Sequence, residues 1–113
     1  MSVPETGFGS GDAAPVFAAL GDVRRLALVS RLMDGRSRSI VQLSDGLSLT
    51  RQGVTKHLRV LENAGIVSCE RVGRESRYLL QPGTLNSARN YLERVAEQWD
   101  ETLGRLKAYL EDG

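Results

Sequence analysis

The chain is poor in the residues that build most catalytic and metal centres. Its 113 residues include one cysteine, Cys69, and one histidine, His57. A single cysteine excludes an internal disulfide and any zinc site that needs several thiolates. A metal on His57 would have no second imidazole ligand, so we expect this ring to pack or hydrogen-bond, and we assign no metal site. Cys69 lies beside Glu70, whose charge disfavours a thiolate, and no base stands at a recognisable spacing from a serine. We therefore expect no enzyme activity and no cofactor.

Long apolar runs are missing as well. The sequence has no stretch of 18 apolar residues and no signal-like segment, and apolar residues make up 41% of it. That share is close to the globular norm, and the length suits one domain with a single core. We expect a soluble cytoplasmic protein, with residues 1–11 as a flexible tail and 12–113 as one domain.

The net charge is small, and the positive charge is concentrated in the middle of the chain. The formal net charge is +1, but residues 22–77 hold 11 Lys and Arg against 6 Asp and Glu, and the flanks hold 4 against 8. A basic centre with acidic ends fits a core that binds duplex DNA and terminal segments that do another job.

Residues 50–64, TRQGVTKHLRVLENA, predict an amphipathic helix at the centre of that basic region. Three apolar side chains fall on one stripe of such a helix: Val54, Leu58 and Leu61. Hydrogen-bond donors with no intervening carboxylate fall on the other side: Gln52, Thr55, Lys56 and Arg59. Thr50 is the expected N-cap and Gly65 the C-terminal stop. Taken alone, this surface could equally be a solvated helix face. The segments before and after it are needed to distinguish a DNA-binding helix from an ordinary surface helix.

Three shorter helices are predicted before this segment. The first covers 12–20, with Val16, Phe17 and Leu20 as its apolar contacts. The second runs from Val23 to Met33 behind an Asp22 cap, and its periodicity predicts a buried stripe of Leu26, Val29 and Met33. The third covers 39–46, because Ser39 and Gln42 match a capping box. With a turn through 47–49, residues 39–64 have the parts of a helix-turn-helix.

Residues 66–80 change from helical to extended character. β-Formers occupy 66–72 and 77–80, and Gly73-Arg74-Glu75 reads as the tip of a hairpin. Arg71, Arg74 and Arg77 therefore crowd onto one β-ribbon, which after a helix-turn-helix is typical of a wing that meets phosphates or a minor groove. A solvated hairpin with ordinary surface charge is the alternative.

A long helix is predicted over 83–111. Leu85, Leu92, Trp99 and Leu106 repeat every seven residues, with further apolar residues between and beside them. A helix of about 40 Å extends beyond so small a domain, so much of its apolar face cannot pack on the domain itself. The simplest way to bury that face is contact with a second copy of the chain. The alternative is a helix folded back on its own core.

Together these segments resemble the ArsR/SmtB family of bacterial winged-helix repressors over about Val16 to Leu80. The resemblance lies in FAALGDVRRLALVSRL, TRQGVTKHLRVLENAGIV and RVGRESRYLL, of which the second is the most specific because it fixes many positions at once. The tail YLERVAEQWDETLGRLKAYLED is similar to that of a subgroup with a Trp-bearing last helix. The resemblance implies a mostly α fold: a winged helix-turn-helix with a two-stranded β-hairpin wing and a long C-terminal dimerisation helix.

The resemblance also implies functional residues. Family members are homodimers that read the major groove with their fourth helix, which places DNA contacts on Thr50, Arg51, Gln52, Thr55, Lys56, Arg59, Arg71, Arg74 and Arg77. Helical geometry alone points to four of these: Gln52, Thr55, Lys56 and Arg59. The interface joins the first and last helices, which here gives Val16, Phe17, Leu20, Leu85, Leu92, Val95, Trp99, Leu103, Leu106 and Leu110.

The chain departs from the family's metal sensors. The region where many members carry Cys-x-Cys reads SIVQLSDG, and the last helix has no histidine. Ser48 replaces the usual glycine of the turn, and a glycine stands instead at Gly46. The effector stays open between a small molecule at the dimer seam, thiol chemistry at Cys69, and none.

We expect a homodimeric, sequence-specific transcriptional regulator, a repressor that binds an inverted-repeat operator in double-stranded DNA through 50–64 and 66–80. The alternative is a winged-helix module for protein or RNA contact without a specific operator. The base-reading donors on 50–64 disfavour that alternative.

Overall fold

The computed structural model describes residues 8–112. This part of the chain is mostly helical, with one small antiparallel sheet, which confirms the mostly α winged helix-turn-helix class. The elements follow in the order α1 (Ser10–Leu20), α2 (Val23–Arg31), β1 (Arg38–Ser39), α3 (Ile40–Ser44), α4 (Arg51–Asn63), β2 (Val67–Val72), β3 (Glu75–Leu80) and α5 (Pro82–Asp112).

The first helix begins at Ser10, two residues before its predicted start. The Asp12 carboxylate accepts a hydrogen bond from the Gly9 backbone N–H at 3.0 Å and so caps the helix. Phe8, which falls within the predicted tail 1–11, packs edge-on against Tyr91 of α5, with 6.4 Å between ring centroids. Residues 1–7 of that tail lie outside the described residues.

The second helix buries a different stripe from the predicted one. Leu28, Val29 and Leu32 are buried, whereas Leu26 is 48% exposed and Met33 is 64% exposed. The prediction for Leu26 and Met33 was therefore wrong. The helix ends at Arg31. Apolar residues are so frequent in this segment that they form two overlapping stripes. Packing against α4 buries the stripe that includes Leu28.

The core forms where α1, α2 and α4 pack together over the sheet. Its fully buried large side chains include Leu28, Leu32, Leu43, Val54, Leu58, Leu61, Ile66 and Val67. Val16 is also buried in this core, so its side chain is not available to a second copy, which corrects its assignment to the dimer interface. Phe17, Leu20 and Leu85 are half-buried against the same cluster.

The sheet has three strands in the order β1-β3-β2, one more than the predicted hairpin. The extra strand pairs Arg38 with Tyr78 and Ser39 with Arg77. The wing itself pairs β2 with β3 from Val67↔Leu80 to Val72↔Glu75. Its turn is only Gly73-Arg74, because Glu75 already belongs to β3; Gly73 has a φ of +65°, which suits a tight hairpin.

The capping box predicted before the third helix is confirmed. Ser39 Oγ accepts from the Gln42 N–H at 3.2 Å, and Gln42 Oε1 accepts from the Ser39 N–H at 2.9 Å. The helix ends at Ser44, so the connection to α4 covers 45–50 and is longer than the predicted turn. Gly46 adopts a φ of +78° there, a conformation that side chains with a Cβ rarely adopt.

The last helix is anchored at one end and uncovered along the rest. Ala88 is its one buried residue among those described, while Trp99 is 60% exposed. Further large apolar side chains on the same face are exposed: Leu92, Val95, Leu103, Leu106 and Leu110. The helix is about 46 Å long at 1.5 Å per residue, and the 66 Å longest extent of the chain reflects this overhang. None of the described helices is both long and apolar enough to cross a membrane.

Candidate nucleic-acid interface

The core fixes the orientation of α4. Val54, Leu58 and Leu61 are fully buried on its inner side, as predicted. Thr50 Oγ1 accepts from the Gly53 N–H at 2.9 Å and caps the helix. At the other end Gly65 has a φ of +77°, which lets the chain leave the helix sharply and enter β2. The outer side is therefore presented in one orientation.

That outer side carries exposed donors. Arg51, Gln52, Lys56 and Arg59 are exposed, and the two ion pairs within residues 8–112 involve other arginines. No carboxylate stands in the sequence between Arg51 and Arg59. These cations can therefore meet an external anion without first breaking an internal pair.

The two threonines of the predicted DNA-contact set already make internal hydrogen bonds. The Thr50 hydroxyl accepts in the cap, and Thr55 Oγ1 donates to the Arg51 carbonyl at 2.8 Å. A hydroxyl has two lone pairs and one proton, so each threonine keeps part of its bonding capacity. Their hydroxyls are held in place, whereas the exposed side chains of Arg51, Gln52, Lys56 and Arg59 are long and adjustable.

Arg31 braces the connection between α3 and α4. Its Nη1 donates to the Asp45 carbonyl and, at 3.5 Å, to the Gln42 carbonyl. Nothing local in the sequence predicts this role for Arg31, because its partners lie 11 and 14 residues further along the chain. This contact ties α2 to the connection through which the chain passes from α3 into α4.

Arginines of the wing fall into two groups. Arg71 and Arg74 are exposed, the latter in the hairpin turn. Arg77 is half-buried: its Nε donates to Ser37 Oγ at 3.0 Å, its Nη2 to the Ser37 carbonyl at 2.8 Å, and its Nη1 pairs with Glu75 at 2.9 Å. All three nitrogens of Arg77 are thus engaged inside the protein, where they fasten the wing to the segment before β1.

His57 links α4 to α2. The half-buried ring places Nδ1 at 3.2 Å from Arg25 Nη1, and Arg25 also donates to the carbonyls of Ala18 and Ala19 at the end of α1. The hydrogen-bonding role predicted for His57 is confirmed. Within residues 8–112, no three His, Cys, Asp or Glu side chains come together in a group that could hold a metal ion.

Cys69 lies exposed on β2, opposite Tyr78 of β3. Burial raises the pKa of the Tyr78 hydroxyl above its usual value, and the neighbouring Cys69 adds to the effect. Tyr78 therefore stays neutral and serves as a core residue beneath the wing.

Comparisons with known proteins agree with this arrangement. A family model described as a helix-turn-helix domain matches residues 20–70. The HTH-type transcriptional regulator YuzN of Bacillus subtilis is 35% identical over 71 residues, which cover 58% of this chain and 77% of YuzN. The HTH-type transcriptional repressor SmtB of Mycobacterium tuberculosis is 37% identical over 68 residues, or 60% of this chain and 50% of that repressor.

A solved structure extends the similarity to nearly the whole chain. An ArsR-like transcriptional regulator from Rhodococcus sp. RHA1 superposes with a TM-score of 0.76 at 36% identity. The match covers 87% of this chain and 92% of the Rhodococcus chain, so it extends well beyond the helix-turn-helix.

Proposed function

Since this chain belongs to the ArsR/SmtB family of winged helix-turn-helix transcriptional regulators, we propose that it is a homodimeric repressor that binds an inverted-repeat operator. The observation that carries the proposal is the outer side of α4, where four exposed donors, three of them cationic, stand free of internal ion pairs within the described residues. A rigid helix with such a face fits the major groove of B-DNA. Repression is the role that the name of the M. tuberculosis SmtB gives to that relative.

Base reading falls to the start of α4. Arg51 and Gln52 lie in its first turn and are exposed, and the N-terminal residues of a recognition helix are those that approach base edges. A bidentate contact of either side chain to a purine is worth roughly 1–3 kcal/mol of discrimination. Arg59, two turns further on, serves a base or a phosphate.

Phosphate contacts surround this reading position. Lys56 supplies a point charge, and Thr50 and Thr55 supply hydroxyls in fixed positions. Arg71 and Arg74 on the wing reach the flanking backbone or minor groove. Arg77 contributes indirectly: its bonds to Ser37 hold the wing in the position from which Arg71 and Arg74 can contact DNA.

A second copy of the chain covers the outer half of α5. The exposed apolar face from Leu92 to Leu110 is long and continuous, and monomeric soluble proteins rarely leave such a patch open. Three half-buried apolar side chains lie beside this proposed interface: Leu85 near the start of α5, and Phe17 and Leu20 of α1. The resulting two-fold axis requires an operator with two half-sites about one helical turn, or a multiple of it, apart.

Selection from random duplex DNA tests the proposal. The full chain is incubated with a random library, the bound fragments are sequenced, and the mass of the complex is measured by sedimentation. The proposal expects one enriched inverted repeat bound by two chains. Recovery of fragments without any shared motif would contradict it and would favour a winged-helix module for protein or RNA contact.

A further inference from the structure

A cleft opens behind the recognition helix, between α1, α2 and α4. One end is a cavity of about 390 Å³ with apolar lining from Pro15, Ala18, Ala19, Val60 and Ala64. It adjoins a second cavity of about 350 Å³ that is lined by Lys56, His57 and Arg59. Three residues, Arg25, Val60 and Asn63, line both cavities, so we treat them as one α1–α4 cleft.

The α1–α4 cleft has positive charge at one end and no carboxylate in its lining. Arg25 stands at the junction, and its bonds go to main-chain carbonyls and to the His57 ring. The ion pairs within residues 8–112 lie elsewhere, at Arg38 and Arg77. Arg25, Lys56 and Arg59 therefore place three cations, none of them in a salt bridge within the described residues, around a space that is apolar on its far side.

The geometry points to an organic carboxylate as the occupant. We propose that the α1–α4 cleft binds a small monocarboxylate with an apolar body, its carboxylate toward Arg25 and Lys56 and its body against Val60 and Ala18. Arg25 is held in place by its internal contacts: its Nε hydrogen is used by the Ala19 carbonyl, but each Nη keeps one N–H beyond its contact with His57 or Ala18, and these two N–H groups can donate to a carboxylate. Each cavity falls in the usual size range of small-molecule pockets. Inorganic phosphate would use the charged end alone.

Occupancy of the cleft competes with DNA. Lys56 and Arg59 line the cleft and also belong to the proposed DNA-contact set, so this step rests on the proposed function. A bound carboxylate neutralises charge that the phosphate backbone would otherwise meet, and it draws both side chains back toward Arg25. The carboxylate is thus an inducer that releases the operator, and by linkage DNA weakens its binding by the same factor.

The first experiment measures ligand binding without DNA. The full chain, labelled with ¹⁵N, is titrated with benzoate, phenylacetate and 2-naphthoate, and with the corresponding neutral amides. At least one carboxylate should shift the amide signals of Ala18, Val60 and Asn63 and the Arg25 Nε signal, with its amide binding at least about tenfold more weakly. No binding by any of the three, equal binding of acid and amide, or shifts confined to α5 would each overturn the site.

A filled cleft provides the matched control. Val60 is 40% exposed and contributes to both cavities, so Val60→Trp should fill the space while leaving the core intact. This variant should lose carboxylate binding at least tenfold. Val72→Trp, at an exposed position on the wing, should bind the carboxylates like the original chain. Undiminished binding in the Val60 variant would place the ligand elsewhere and overturn the proposal.

The second experiment adds DNA at constant ionic strength, with chloride replacing the carboxylate in the control. A saturating carboxylate should weaken binding of the selected DNA at least fivefold, and Val60→Trp should bind DNA but resist release. Ligand binding to the cleft with unchanged DNA affinity would overturn the competition. Absence of any sequence-selective DNA binding before ligand is added would instead overturn the proposed function, while the first experiment still tests the cleft.

Discussion

Arg77 is bonded to Ser37, 40 residues earlier in the chain, through both the serine hydroxyl and its carbonyl, at 3.0 and 2.8 Å. The contact crosses from the wing to the segment before β1, and the Arg77–Glu75 pair completes it. Arg77 thus stabilises the position of the hairpin, whereas Arg71 and Arg74 are exposed to solvent.

The first prediction separates these two kinds of arginine. Arg77→Ala should lower the free energy of unfolding by about 1–2 kcal/mol, because the half-buried Ser37 carbonyl and hydroxyl lose their charged hydrogen-bond donor. Arg74→Ala should leave stability unchanged, weaken binding to all DNA sequences about equally, and reduce the salt dependence by about one unit of slope. Denaturant unfolding and mobility shifts at two salt concentrations measure both effects. Equal stability of the two variants would contradict the assignment.

The second prediction concerns sequence discrimination. Arg51→Ala and Gln52→Ala should each narrow the gap between selected and random DNA by roughly 1–3 kcal/mol, because a base contact is lost. Lys56→Ala is the control on the same helix and should weaken both DNAs together. Binding isotherms on the two duplexes decide the matter. If all three variants changed both affinities in parallel, α4 would contribute charge without reading bases.

The third prediction tests the seam along α5. Trp99→Arg combined with Leu103→Arg should give a monomer, because two charges would have to be buried between the chains. Glu101→Arg, on the far side of the same helix, should leave the dimer intact. Sedimentation velocity at several protein concentrations reads the outcome. A dimer that survives the double substitution would exclude this face as the interface.

The fourth prediction follows from the corrected stripe on α2. Leu28→Ala should cost about 2–5 kcal/mol of stability, as for other large-to-small changes at fully buried sites. Leu26→Ala, two residues earlier and half-exposed, should have an effect within about 0.5 kcal/mol. Urea unfolding compares them, and the reverse order would restore the stripe predicted from periodicity.

The fifth prediction concerns acid stability. The Arg24 N–H, hydrogen-bonded at 2.8 Å, lowers the pKa of the Asp22 carboxyl below its ordinary value of 3.8. The charged cap therefore stabilises the fold above about pH 3.8, and this contribution is lost as the pH falls through the lower folded pKa.

Two substitutions at Asp22 isolate this effect. Asp22→Asn keeps a capping oxygen without a charge, so its stability relative to the original chain should improve between pH 5 and pH 2. Asp22→Ala should be less stable than the Asn variant throughout. Thermal unfolding across that pH range checks both, and parallel pH curves for the original chain and the Asn variant would show that the carboxylate does not titrate in this way.

Elements that are determined by residues close together in the chain could be predicted from the sequence. Val54, Leu58 and Leu61 form a single apolar stripe opposite polar residues, so one buried side was possible for α4. Ser39 and Gln42 cap within one turn of each other and were recognised for the same reason.

Features that depend on distant partners were not predictable in this way. The second helix has two apolar stripes, and only packing distinguishes Leu28 from Leu26. The two-residue strand β1 exists because β3 pairs with it, and its own residues are not β-formers. In the sequence, Arg77 cannot be distinguished from the exposed Arg71 and Arg74, because no neighbouring residue indicates its bond to Ser37.

The uncovered apolar face of α5 ties the proposed regulation to the amount of protein in the cell. A chain that is stabilised by pairing with a second copy has a melting temperature that rises with its own concentration. Below the dissociation constant of the dimer, occupancy of an inverted repeat grows with the square of the chain concentration. Repression would then switch over a narrower range of expression level than a monomeric binder could achieve, before any effector acts.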